Sequence, residues 1–549
     1  MRRVNLPETR TTPNGGDRLV TALIESGAER VFGLPGIQLD PIFDALARQN
    51  VLELTTARHE QAVAYMADGY ARSSGKPGIG VVVPGPGVLN ALAGLATAYA
   101  CNTPVLLICG QIDSTLIGSG RGALHEIPDQ TGILRSLTRW HARASYACEI
   151  PALVAEALAF LESGAGPAAL EVPVDVLHEL AEERMETAEP RPMEPNVASR
   201  PIREVGPQGS EALSLIRDSE RPLLLVGGGC RGRDAVALLT RAAERLGAPV
   251  VVTENAKGVI DARHELAFER TAYRRLLDHS DLVLALGTRF VDAEARDLPT
   301  GNARTVVVNT DPVVLERQPE NTHALRLDAA TLLAEIVESD RPAARDGWSG
   351  ALLADAGDFV EEQRGRIAPQ LKYLEAIRRH LPDGGILVGE YTQIGYAASF
   401  AFPCRTPRDF IWPGYQGTLG YGFATAIGAA IGNDGPVVSV TGDGGFSWTM
   451  EELSTLARER PPLTTIIFND GHYANVRRLQ NLVYEGREIA SDLTNPDYMV
   501  LADAFGIPAT RVASAEELDA ALSSAIGTHG PQLIEVSVGE FPSPWHLGF

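Results

Sequence analysis

Residues Val440–Gln480 read VTGDGGFSWTMEELSTLARERPPLTTIIFNDGHYANVRRLQ. An apolar strand over Pro436–Val440 runs into Gly442-Asp443-Gly444-Gly445, and a helix-like segment follows. A second apolar strand, Leu463–Phe468, ends in Asn469-Asp470. Two neighbouring parallel strands would each deliver an acidic oxygen ligand at the carboxyl end, the edge where open α/β sheets bind ligands. Glycine amides and a helix N-terminus between them suit a phosphate. A hard divalent cation held by few protein oxygens and a bridging diphosphate is how magnesium is usually bound. Glycine and aspartate are also ordinary turn residues, so a GDG alone leaves a plain turn open.

A distant segment narrows the choice. Residues 55–87 read TTARHEQAVAYMADGYARSSGKPGIGVVVPGPG, with Glu60 after a strand-like LELTTARH and at the opening of a helix. An acid in a first helical turn is favoured by the helix dipole alone. Taken in order, however, RHE, GYAR, GPG and the remote GDG resemble the thiamine-diphosphate-dependent superfamily of acetolactate synthases, 2-oxo acid decarboxylases and benzaldehyde lyases. The resemblance covers most of the chain. It places Glu60 on the catalytic glutamate that protonates the aminopyrimidine ring, so that the amino group can take the thiazolium proton. The superfamily sets its second metal-ligating side chain 27 positions after the Asp, and here that position is Asp470 where Asn is usual. The resemblance implies magnesium held by Asp443, Asp470 and the carbonyl of His472, with Gly442, Gly444 and Gly445 around the diphosphate. No His or Cys partners stand at zinc spacing around His472.

Two further segments carry the likeness. PGYQGTLGYGFATAIGAAIG (413–432) is similar to the stretch that bends the cofactor, with Leu419 as the wedge and the Gly417 carbonyl accepting from the aminopyrimidine. GEYTQIGY (389–396) resembles the loop whose backbone amides reach the diphosphate, at Tyr391, Thr392 and Gln393. VFGLPGIQLDPIFDAL (31–46) is similar to the carboligase subgroups and puts Pro35, Gly36, Ile37 and Gln38 near the reactive carbon. In GALHEIPDQTGILRSLTRW (122–140), His125 falls where a Gln is common, and would hold a carboxylate or relay protons; a loop histidine facing solvent is the plain alternative. The chain departs from acetolactate synthase at Leu479, where that enzyme carries a substrate-selecting Trp. HELAFERTAYRR (264–275) also lacks the stretch that accompanies flavin binding. No adjacent His-His pair marks it as a simple decarboxylase. Arg477 and Arg478 are expected as solvated helix arginines, with an acidic substrate as the alternative.

At 549 residues the chain is too long for one core. Strands alternating with helices predict α/β architecture: three doubly wound parallel-sheet domains over 16–180 (pyrimidine-binding), 205–345 (central) and 366–545 (diphosphate-binding). Strands are expected at LELTTA, GIGVVV, PVLLIC and AALEVP in the first block, and the second opens another such unit with PLLLVGGG, a helix, APVVVTENAKG, a helix, DLVLALGTRF and TVVVNTD. HELAEERMETAEPRPMEP (178–195) and Arg341–Gly365 read as linkers, and the first residues as a disordered arm. Gly227-Gly228-Gly229 follows a strand but lacks full GxGxxG spacing, so close packing competes with nucleotide binding. A net charge of −22 argues against nucleic acid or anionic membranes as partners. No apolar run reaches a membrane span, and five scattered cysteines suit a reducing cytoplasm.

The expected function is therefore C–C lyase or carboligase chemistry on a 2-oxo acid with thiamine diphosphate and Mg2+, acetolactate-synthase-like. Simple 2-oxo acid decarboxylation and cleavage of a 2-hydroxy ketone follow it. A flavin-dependent oxidase or a non-catalytic binding protein on the same fold is the alternative of another class. The resemblance further implies a homo-oligomer, dimer or tetramer, with each cofactor across a dimer interface.

Overall fold

A computed structural model describes residues 12–548 apart from 165, 181–203, 293, 320–321 and 340–346. The expected N-terminal arm, up to residue 11, and most of the first linker lie outside the described residues. Three six-stranded sheets, parallel throughout, carry the fold. The first holds β1 (Arg30–Gly33), β2 (Glu53–Thr56), β3 (Gly78–Val82), β4 (Val105–Gln111), β5 (Trp140–Arg143) and β6 (Ala168–Pro173), in the order β2-β1-β3-β4-β6-β5. The second holds β7 (Pro222–Val226), β8 (Val250–Val252), β9 (Ala267–Glu269), β10 (Leu282–Leu286), β11 (Arg304–Asn309) and β12 (Thr322–Arg326), in the order β12-β11-β10-β7-β8-β9. The third holds β13 (Ile386–Gly389), β14 (Phe410–Ile411), β15 (Val437–Gly442), β16 (Leu463–Asn469), β17 (Ala509–Val512) and β18 (Gln532–Ser537), in the order β14-β13-β15-β16-β18-β17.

The central strands form because they are apolar on both faces. In the second sheet Leu224, Val226, Leu282, Leu284, Leu286, Val306 and Val308 pack into one buried cluster. Their chain neighbours Leu223, Leu225, Val283, Ala285 and Val307 pack into another. That alternation of period two requires cover on each side of the sheet, as parallel sheets generally need. β4, β6, β7, β10 and β15 are buried along their whole length.

The order of the first and third sheets reverses between their first and third strands. Loops leaving β1 and β3, or β13 and β15, therefore part to open a crevice at the carboxyl edge. Register fixes the second crevice wall: Gly442 pairs with Phe468, so β15 and β16 end side by side, at Asp443 and Asn469-Asp470.

Two elements differ from expectation. The helix-like segment after GDGG is three short pieces: Asp443–Phe446, a 3-10 turn at Met450–Glu452, and Leu453–Glu459. The break occurs where Thr449 Oγ1 donates to the Gly420 carbonyl at 3.1 Å. The second linker is not all linker. Ser349 caps a helix over Gly350–Gly365, which buries Ala356 and Val360 against the second sheet beside Trp348.

The described residues divide into two compact units. One draws on Met1–Ala198 with Ile427–Gly432 and Glu451–Glu459; the other on Ser199–Ala426, Asn433–Met450 and Arg460–Phe549.

Candidate functional site

In the second unit the crevice of the third sheet gathers acids and glycines. Asp443 opens the helix Asp443–Phe446 and is almost fully buried. Its Oδ2 accepts from Asn495 Nδ2 at 2.6 Å and from the Gly471 amide at 3.1 Å. Asp470 Oδ2 accepts from Gln393 Nε2 at 2.7 Å, and its Oδ1 from the His472 amide at 2.9 Å. All four donors are neutral. Burial, aided by the charge of Asp470, pushes the Asp443 carboxyl up to about 6, and burial also raises Asp470. Two adjacent acids, one buried and one partly buried, with no cation bonded to either carboxylate among the described residues, form a receptor for one. Among the described residues no group of three or more His, Cys, Asp or Glu side chains is arranged to hold a metal ion. A cation here would complete its coordination with backbone carbonyl and ligand oxygens, which fits magnesium and a diphosphate.

The walls of this crevice are shaped by backbone approach. A Cβ at Gly445 would lie 2.5 Å from the Glu390 carboxyl, and one at Gly444 would lie 2.6 Å from the Tyr473 ring, so both positions demand glycine. Thr392 precedes the helix Gln393–Ala401, whose first turn faces the β13–β15 reversal, though the Thr392 amide itself donates to the Glu390 carbonyl at 2.8 Å. Tyr391 donates its phenol to the Gly414 carbonyl and packs at a tilt against Trp412, with ring centroids 4.9 Å apart. Leu419 is half-buried on a turn between Gly417 and Gly420, both with left-handed backbone. That turn is tied down by Glu390 Oε1, which accepts from the Gly420 amide at 2.8 Å.

Gln393 is spent on structure: beyond Asp470, its Oε1 accepts from the Phe541 amide at 2.8 Å. The His472 imidazole meets Asp492 at 3.2 Å and pairs with Arg477, so surface groups occupy it. Arg478 corrects its expectation. It is buried, with Nη2 donating to the Phe541 carbonyl at 2.6 Å and Nε 3.3 Å from Glu540. Arg477, by contrast, lies partly open and pairs with Glu488 at 2.9 Å. Leu479 is exposed.

In the first unit a second group surrounds the β1–β3 reversal. Glu60 opens the helix Glu60–Ser74, capped by His59, and is buried; its Oε2 accepts from Asn90 Nδ2 at 3.0 Å. After β1 the chain passes Pro35 and Gly36 into a 3-10 turn at Ile37–Leu39. Ile37 points outward at 67% exposure, whereas Gln38 is buried. Gln38 Nε2 donates to the Leu124 carbonyl at 3.3 Å, and its Oε1 has no partner among the described residues. His125 adopts φ +69°, and its buried Nδ1 likewise lacks a partner among the described residues. Its carbonyl packs on Gly85, where a Cβ would lie 2.3 Å away. Gln38, His125 and the Gly85–Gly87 turn beside Glu60 are therefore neighbours. Their two unsatisfied polar atoms suit a polar ligand.

Asn469, named in the sequence beside Asp470, has an Oδ1 that takes the same Asn495 and Gly471 donors as Asp443, whereas Asn495, Asn90 and Glu390 are not foreseen as site residues. Nothing in their local sequence marks them. In the second sheet the glycine run is used for packing: a Cβ at Gly227 would lie 2.4 Å from the Gly287 carbonyl.

Comparison with known proteins shows three matches along the chain. Residues 13–133 match the N-terminal TPP binding domain of thiamine pyrophosphate enzymes, 210–336 their central domain, and 388–536 their C-terminal TPP binding domain. A probable acetolactate synthase large subunit of Methanococcus aeolicus is 30% identical, over 96% of this chain and 92% of that protein. A probable 2-ketoarginine decarboxylase of Pseudomonas aeruginosa is 32% identical, over 96% of this chain and 94% of that protein. The acetolactate synthase large subunit of Haemophilus influenzae is 30% identical, over 96% and 95%.

Proposed function

Because this chain belongs to the thiamine pyrophosphate enzyme family, we propose that it is a magnesium-dependent member acting on a 2-oxo acid, with acetolactate-synthase-like carboligation as its reaction. The observation that carries the reading is the pair of acids at the β15–β16 edge, Asp443 buried and Asp470 partly so, whose hydrogen bonds among the described residues come from neutral donors. Asp443 and Asp470, with the His472 carbonyl, would hold the metal. Gly442, Gly444, Gly445 and the amides of Tyr391, Thr392 and Gln393 are the candidates for receiving the diphosphate. Leu419 and the Gly417 carbonyl would orient the rings. When bound, thiamine diphosphate supplies an acidic carbon and an electron sink for the carboxylate lost from a 2-oxo acid. Glu60 holds and shares a proton at the pyrimidine side, and its burial beside Asn90 keeps bulk water from competing for that proton. Pro35, Gly36, Ile37, Gln38 and His125 would form the substrate side, with the open Gln38 and His125 atoms binding carboxylate or carbonyl. The working form is a homo-oligomer, dimer or tetramer, in the cytoplasm.

Decarboxylation of a larger 2-oxo acid is the second reading. Exposed Leu479 leaves room where acetolactate synthase carries Trp, and one relative of near-equal length is named as a decarboxylase. Incubation with magnesium, thiamine diphosphate and a panel of 2-oxo acids separates the two by product. A branched 2-hydroxy-3-oxo acid supports carboligation; an aldehyde alone supports decarboxylation. Turnover of none of the acids, by a protein that retains the cofactor, would overturn both.

A further inference from the structure

Eight residues beyond the GDG, Glu452 belongs to the same compact unit as Glu60 and is fully buried. Its Oε1 accepts from the backbone amides of Arg58, at 2.8 Å, and His59, at 3.0 Å. These amides belong to the turn that leaves β2 and delivers Glu60 as the first residue of its helix. Its Oε2 accepts from Thr455 Oγ1 at 2.5 Å, and the same hydroxyl lies 3.2 Å from the Thr56 carbonyl at the end of β2. Glu459, further along the segment, reaches Arg30 at 3.3 Å, and Arg30 bonds Thr55 at 2.8 Å. The segment thus grips the end of β2 and the two peptide units that follow it.

We propose that Glu452 is the positioning residue for Glu60, its carboxylate fixing the Arg58-His59 turn and thereby the direction in which the Glu60 side chain leaves the helix. The proposal rests on the role given to Glu60 above. The physical case is one of cost. Without this acceptor the two amides that converge on the buried carboxylate would lose their partner, so the turn would reopen to find water or another carbonyl. A shift of about 1 Å in a proton-transferring group costs on the order of 10²-fold in rate. Burial pushes the Glu452 carboxyl up to about 7 despite three local hydrogen bonds, so holding it in the dry interior opposes its charge. The hydrogen-bond partners of the Glu452 carboxylate are Arg58, His59 and Thr455, all in its own compact unit.

The test compares Glu452→Ala, Glu452→Gln, Thr455→Val and Glu60→Gln. Proton exchange at the thiazolium carbon, quenched in deuterium, is read in protein reconstituted with magnesium and thiamine diphosphate. Amide hydrogen exchange across Leu54–Gln61 is read in cofactor-free protein. Glu452→Ala is expected to slow carbon exchange about 10²-fold, to expose the Arg58 and His59 amides, and to leave cofactor affinity unchanged. Glu452→Gln keeps a carbonyl for both amides and should restore both readouts. If Glu452→Ala does not fold, Thr455→Val, which only loosens the grip, should show a smaller loss of the same two kinds. Wild-type exchange in Glu452→Ala or, failing that, in Thr455→Val overturns the proposal alone, as does a Glu452→Gln as slow as the alanine variant. Wild-type exchange in Glu60→Gln overturns the role of Glu60 and this proposal with it.

Discussion

Asp443 bonds two neutral donors and lies beside a second, partly buried acid, so the effect of replacing it depends on whether a cation is present. Asp443→Ala should abolish retention of thiamine diphosphate after gel filtration with magnesium. Full retention in the presence of a chelator would refute the metal assignment. Asp470→Asn should keep the cofactor. An Asn cannot accept from both Gln393 and His472 as the carboxylate does, so one mismatched hydrogen bond costs about 1 kcal/mol, less than tenfold in affinity. Glu60→Gln preserves shape but cannot yield a proton; exchange at the thiazolium carbon should slow by about 10²–10⁴-fold, with the melting temperature within a few degrees of the parent. The meeting of Asp443 and Asp470 at one sheet edge, and the place of Glu60 at the head of its helix, were legible because each stands in a motif of local spacing. Asn495, Glu390 and Glu452 were not. Asn495 meets Asp443 across 52 positions, and Glu452 meets Arg58 across 394, and no window of sequence spans such pairs. Arg478 was misread for the same reason, since the carbonyl that buries it comes from the tail at Phe541.

The helix Tyr421–Ile431 begins on a buried carboxylate. Glu390 receives the Gly420 amide at 2.8 Å, the Thr441 hydroxyl, and further amides of Tyr421 and Gly422. These donors favour the charged form, yet desolvation outweighs them and pushes the carboxyl up to about 7. Between the ordinary value of 4.5 and 7, the folded protein holds a proton that the unfolded chain has lost, so stability falls as pH rises through that range. Glu452 acts in the same direction over the same range. The stability of cofactor-free protein should therefore fall by a few kcal/mol in total between about pH 4.5 and pH 7, read as a falling melting temperature. Glu390→Gln should flatten part of that slope, and a slope unchanged in the variant would refute the assignment. The buried central strands were legible because runs such as VLLICGQ are apolar without interruption. The edge strands β5, β9, β12, β14 and β17 were not singled out. They are short, and β9, β12 and β17 leave much of their length partly or fully open. The Gly350–Gly365 helix was hidden by a composition of glycine, acids and arginine that resembles a linker.

Across the whole chain, the strand order of the second sheet is one that dinucleotide-binding folds use, with its reversal between β7 and β10. The glycines at that reversal are nevertheless pressed against Gly287 and Thr288. Purified protein should accordingly show no stoichiometric flavin absorbance in the visible region; a yellow preparation would revive the oxidase reading. The three-sheet plan was legible because helix and strand periods alternate throughout. That two of the sheets repeat one strand order was not, since order is set by crossovers that leave no local pattern. The compact unit containing Glu60 is not a continuous piece of chain, because Glu451–Glu459 completes it. A ribosome must therefore add some 260 residues after position 198 before that unit can close, roughly 15–50 s at ordinary elongation rates. Through that interval the newborn N-terminal sheet waits with two amide groups unanswered and an open flank, a natural client for chaperones. Residues 12–198 made alone should give no cooperative melt, and rescue by co-expressing the remainder would show that the two pieces complete each other in trans.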